Sequence, residues 1–334
     1  MKLLISCVGA YQNSGLGTGG LVAVDTESRT IDTIDFLDST GLTAHKNLVF
    51  RFVRAMKCLI IYDQEGFRSR IFLREANDVH DIQIINDKIH VVSTGINSVQ
   101  VYDFLGNFVE EINPGGKGDA WHINCIESYQ DDLYFTAFGA FNTHREWNNN
   151  SLKNGFIFSL KGMTPIIKGL SGPHHPRLID KNWWVCDSHK QCVNVYDFAT
   201  NSLLAIINLG GFTRGMLETD DSVWVGVNAD RKKKDRLNGQ IVALDKSNFS
   251  VIEQIEIPLP EIYDVIKIPE EFYEALREKR ESFNLASESD HATISVNFAN
   301  QITLMEKQLI ELRGKLKKKS IIIKLKSKIK SMIS

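Results

Sequence analysis

Four stretches of the chain follow one template, and any fold for this sequence has to accommodate them. They are DVHDIQIINDKIHVVST (78–94), AWHINCIESYQDDLYFTAFG (120–139), GPHHPRLIDKNWWVCDS (172–188) and GFTRGMLETDDSVWVGVN (211–228). Each carries a polar signature residue at the start of an apolar strand, turns at a polar pair and returns in a second strand of aromatic and β-branched residues. A third strand then ends in Tyr-Asp or Leu-Asp, as at Val101–Asp103, Val195–Asp197 and Ala243–Asp245. After a turn, NFVEEI, SLLAII and VIEQIEI supply a fourth. Four antiparallel strands repeated at intervals of a few tens of residues describe a β-propeller blade.

The signature positions are His45, His80, His122, His174, Arg214 and Tyr263, separated by 35, 42, 52, 40 and 49 residues. Six signatures predict six blades. The last unit, EIYDVIKIP (261–269), has only a first strand, and the N-terminal LLISCV and GGLVAVDTESRTIDTIDF read as the three strands it lacks. The expectation is therefore an all-β, six-bladed β-propeller over residues 1–269, closed by N-terminal strands so that no sheet edge is left open there. A helix and polar linker follow over 270–300. C-terminal helices are expected over 301–334: a short coiled coil, from Ile302, Met305, Leu309, Leu312 and Leu316, then a basic amphipathic tail with Ile322, Leu325, Ile329 and Ile333 on one face.

Composition narrows the class. The five cysteines are odd in number and lack CxxC spacing, which argues against a disulfide framework or a cysteine zinc site and suits a reducing cytoplasm. MKLLISCVGA reads as a strand, not a signal peptide, and no run approaches bilayer-spanning length. The net charge of −2 divides unevenly: residues 313–334 hold nine Lys or Arg and no acid, leaving 30 basic against 41 acidic groups, or −11, in residues 1–312. An acidic body speaks against nucleic acid. The basic tail suits peripheral attachment to an anionic membrane surface on the inner face, with a partner protein or homo-oligomerisation through the C-terminal helix as alternatives.

His-x-Asn at His122 and Asn124, Pro-His-x-Pro-Arg at 173–177, Asp187-Ser188, Gly-Phe-Thr-Arg-Gly at 211–215 and Glu-Ile-Tyr-Asp-Val at 261–265 occur in order. Over about residues 40–269 the chain resembles a bacterial β-propeller family that carries a domain-of-unknown-function label. The resemblance implies a propeller, found beside glycosyltransferases or sulfotransferases of surface-polysaccharide synthesis; it supplies no reaction.

In a propeller the innermost strands converge on the axis, so equivalent positions meet at one mouth of the channel. His80, His122 and His174 are therefore the candidate ligands of a divalent transition metal such as Zn, Mn, Fe or Ni. Arg214 suits a carboxylate, sulfate or phosphate, with Arg177, Asn124 and His45 as further substrate-binding candidates. Tyr263 and Asp264 are the candidate acid and base, and Asp81, Asn124 and Asp187 are candidates for orienting the imidazoles. Propellers with three histidines at the mouth include lyases of uronate sugars, and by similarity to them the chain is read as an enzyme with lyase-, isomerase- or hydrolase-like action on an acidic sugar or glycan. The alternative is a non-catalytic scaffold that docks glycosyltransferases at the membrane.

Plainer readings stand beside these. A histidine at a strand start ordinarily bonds a nearby backbone group, which is the reading for His90, His144, His189 and His291; the repeat positions can also be polar caps of the blade. Trp121 and Trp147 either stack on a sugar or pack. GLGTGG (15–20) reads as a blade loop, and RKKKDR (231–236) as a solvated basic loop or a grip for an acidic glycan.

Overall fold

Six four-stranded antiparallel sheets form a closed ring in the computed structural model, which describes residues 1–9, 19–54, 56–228, 238–279 and 283. Blades 1 to 5 run in chain order, with innermost strands Ser39–His45, Val79–Ile85, Cys125–Tyr129, Pro173–Ile179 and Phe212–Glu218. Blade 6 is composite. Its innermost strand, Glu261–Lys267, pairs with Lys2–Val8, and Gly20–Asp25 and Thr30–Asp35 complete the sheet. The expected closure by N-terminal strands is therefore present.

The core is distributed between blades. Val92 and Val99 of blade 2 pack with Ile126 and Phe135 of blade 3, and Trp184 and Val193 of blade 4 pack with Met216 and Val225 of blade 5. Trp183 and Trp184, neighbours on one strand, are both buried because each face of the sheet meets a different blade. The Tyr-Asp and Leu-Asp pairs have a local cause. Asp103, Asp197 and Asp245 accept backbone N–H groups of the following turn, from Leu105, Thr200 and Ser247 at 2.9, 2.8 and 2.8 Å, and so close the hairpin to the outermost strand.

A helix, Glu270–Glu278, follows Pro269, and Phe272, Tyr273 and Leu276 bury themselves against Leu4, Ile60 and Tyr62 at the junction of blades 6 and 1. It thus packs as part of the propeller body. The expected coiled coil and basic tail, the RKKKDR run and most of GLGTGG lie outside the described residues. Among the described residues no helix is long and apolar enough to cross a membrane.

Candidate functional site

The innermost strands share a distortion that creates the site. Pairing registers slip between Val79 and Asp81, His174 and Arg177, Arg214 and Met216, and, in blade 6, across Tyr263. Each slip is a β-bulge, which inserts a residue and re-aims the side chains on either side of it. His80, His174, Arg214 and Tyr263 consequently reach one mouth of the channel, while the next residue turns toward the adjoining blade. Asp81 accepts the Ile126 N–H (2.9 Å), His175 Nδ1 accepts the Gly215 N–H (3.1 Å) and Asp264 accepts the Leu42 N–H (3.3 Å). One residue of each pair faces the channel mouth and its neighbour staples blade to blade.

At that mouth is a cavity of about 820 Å³, lined by His80, His122, His174, Arg214 and Tyr263 together with Arg54, Asp78, Phe138, Arg145, Trp147, Ser188, His189 and Phe212. The volume suits a small ligand. Five of the nine predicted site residues meet here. The other four do not. His45 lies at the opposite end of its strand, beside Asp87 (3.1 Å), because the blade 1 counterpart of the signature falls near Thr40. Asn124 is buried and accepts the Thr136 hydroxyl (2.7 Å), and Arg177 binds the Ile126 carbonyl (3.1 Å) and faces Glu127 (3.4 Å). Asp264 is occupied by its staple and by His175, whose Nε2 is 3.4 Å away, so it is placed for blade closure instead of acid–base work.

Each imidazole is held differently. Arg214 Nη2 donates to His80 Nδ1 (3.4 Å), and His80 Nε2 faces Asp78 Oδ2 at 3.6 Å. Burial drives the His80 pKa down to about 3, against the pull of Asp78. His174 Nδ1 donates to the Gly172 carbonyl (3.0 Å) and to Ser188 Oγ (2.8 Å), whose own proton goes to the Thr213 carbonyl (2.6 Å). Burial, followed by the Arg214 charge, holds the His174 pKa well below its ordinary value. His122 Nδ1 meets Asp119 Oδ1 at 2.9 Å, and its ring lies against Phe138 and Trp147, with centroids 4.4 and 4.0 Å away. The orienting partners are thus Asp78, Asp119 and Ser188. Asp81 and Asp187 accept backbone N–H groups instead, the latter from Ser171 (2.7 Å).

His80 has both ring nitrogens engaged, one by a guanidinium, and a second cation there would be repelled by the first. Among the described residues no group of three or more His, Cys, Asp or Glu side chains is arranged to hold a metal ion. The arrangement favours an anion. Arg214 is buried, 3.3 Å from Glu261, with its guanidinium 3.5 Å from the centre of the Tyr263 ring. Among the described residues its Nε and the Tyr263 hydroxyl have no hydrogen-bond partner, a costly state for buried donors. Burial pushes the Tyr263 pKa well up, so the phenol keeps its proton and serves as a donor.

Sequence reasoning missed Asp119, Arg54, Arg145, Phe138 and His189. Asp119 carried a signal, its place three residues before His122. Arg145 and Trp147 come from the long connection between the second and third strands of blade 3, whose path the repeat does not specify.

Fold and cavity together define a six-bladed β-propeller with a polar, arginine-anchored pocket at one mouth of its channel. A family model, the domain of unknown function DUF4915, matches residues 60–276, and the chain belongs to that family. No curated protein matches the chain. Solved structures similar to it include a chain of a nidogen/laminin complex, with TM-score 0.58, 9% identity and coverage of 79% of this chain and 97% of that one. Another is a protein of unknown function from Bacteroides caccae, with TM-score 0.56, 12% identity and the same two coverages. At these identities the likeness is one of fold.

Proposed function

We propose that the protein is an enzyme that binds an acidic sugar at the channel mouth and acts on it by lyase-, isomerase- or hydrolase-like chemistry. The observation that carries this reading is the pair Arg214 and Tyr263, which have buried donors without partners among the described residues and line a cavity beside the neutral imidazoles of His80 and His174. A guanidinium matches the planar carboxylate of a uronate, and the aromatic faces of Trp147, Phe138 and Phe212 suit the apolar face of a sugar ring. An acidic sugar also agrees with the polysaccharide-synthesis setting that the family resemblance implies.

The test is calorimetric titration with D-glucuronate and with neutral D-glucose. Glucuronate is expected to bind and glucose to bind at least about tenfold more weakly, with Arg214→Gln costing glucuronate roughly 10- to 100-fold, the scale of a lost charged hydrogen bond. Equal affinity for the two sugars, or an Arg214→Gln protein that folds and binds glucuronate normally, would refute the reading.

A further inference from the structure

Of the three signature histidines, His122 alone combines a carboxylate on one ring nitrogen, at 2.9 Å, with no partner on the other among the described residues. Asp119 is buried, and three side-chain donors converge on its carboxylate: His122 Nδ1 (2.9 Å), Trp147 Nε1 (3.1 Å) and Arg145 Nε (3.2 Å). With Asp119 taking the Nδ1 proton, the Nε2 lone pair on the opposite edge of the ring is left available. Nε2 has no hydrogen-bond partner among the described residues, and His122 lines the cavity. The neighbours differ. His80 has both nitrogens engaged, and His174 is backed by a carbonyl and a hydroxyl, which stabilise an imidazolium far less than a carboxylate does.

We infer that His122 is the proton acceptor of this cavity, with Asp119 as its positioning residue, and that it removes the hydrogen on the carbon next to the ligand's carboxylate. The inference rests on the acidic-sugar reading above. In the step, the C–H bond breaks and an N–H bond forms at His122 Nε2. The electron pair passes into the carboxylate as an enediolate, whose negative charge the Arg214 guanidinium offsets. Return of a proton from His122 restores the C–H bond, and no oxidant or reductant is needed. In D2O the acceptor exchanges its proton with solvent and returns a deuteron.

The experiment incubates the full chain with D-glucuronate in D2O and follows loss of the H5 signal by proton NMR. Side-chain ¹⁵N spectra report the histidine tautomers of the ligand-free protein. Wild type is expected to wash deuterium into C5 and to hold His122 in the Nδ1–H tautomer. His122→Gln and Asp119→Asn are expected to slow wash-in at least about 100-fold, with glucuronate affinity within about threefold of wild type. Asp119→Asn is also expected to move His122 toward the Nε2–H tautomer, and added imidazole to restore part of the exchange in His122→Gly. Glucuronate that binds without exchange, or His122 found as Nε2–H in wild type, overturns this inference and leaves the binding reading standing. Absence of glucuronate binding removes both.

Discussion

His80, His122 and His174 line one cavity and serve three different purposes, because an imidazole is defined by what holds its other nitrogen. His80 bridges Arg214 and Asp78, His174 is pinned by Ser188, and His122 is set against Asp119. That these side chains meet was legible from their place in the repeat. Which nitrogen each presents was not, since Ser188 lies in the 3-10 turn after the neighbouring strand of its blade and Asp119 in a loop. The neutrality of His174 has a measurable consequence. Burial lowers its pKa from the ordinary 6.5, so below about pH 6.5 the unfolded chain takes up a proton that the native state refuses, and stability falls as pH falls. Well within that window the cost is about 1.4 kcal/mol per pH unit. Urea titrations between pH 7 and pH 5 are expected to show wild type losing about 2 kcal/mol relative to His174→Gln, since the full slope is reached only well below pH 6.5, and parallel pH profiles for the two proteins would contradict it.

At the scale of the strand, the bulges do what the hydrophobic pattern cannot express. Alternation in HDIQII or HHPRLI marks a strand and its faces, but a single inserted residue at the start exchanges the side chain at the channel mouth with the one on the blade interface. His174 and not His175 faces the cavity for this reason, as its register with His80 and Arg214 suggested. Asp264, read as a catalytic partner of Tyr263, takes the staple position of its pair. Blade 5 meets the same requirement with Gly215, whose φ of +73° is left-handed and whose added Cβ would stand 3.2 Å from the Asp264 Cα. Gly215→Ala is therefore expected to cost about 1–3 kcal/mol, measured as a drop in the urea midpoint; a change below about 0.5 kcal/mol would show that the bulge relaxes freely.

Over the whole molecule the ring is closed by chain ends that lie more than 250 residues apart, Lys2–Val8 against Glu261–Lys267. The seam to blade 1 is marked by Arg51, fully buried, which binds Asp35 of the closing blade at 2.5 and 2.7 Å and also Ser39 and Tyr62. Buried pairs add little net stability over well-packed apolar side chains, but losing one partner strands the other charge. Arg51→Met is expected to cost about 3–5 kcal/mol in urea unfolding, and adding Asp35→Leu to recover most of that; a double variant no more stable than the single one would sink this account. The sequence alone determined the repeat, the blade count, the closure and the head residues His80, His174, Arg214 and Tyr263 of four innermost strands, because strand alternation and turn chemistry are local. Only the tertiary structure decided that Asp119 backs His122, that Arg214 lies over Tyr263 and that Asp264 ties blade to blade. Those relations depend on bulges, a long loop and the meeting of blades, and no local pattern encodes contacts between residues whose separation is set by ring closure.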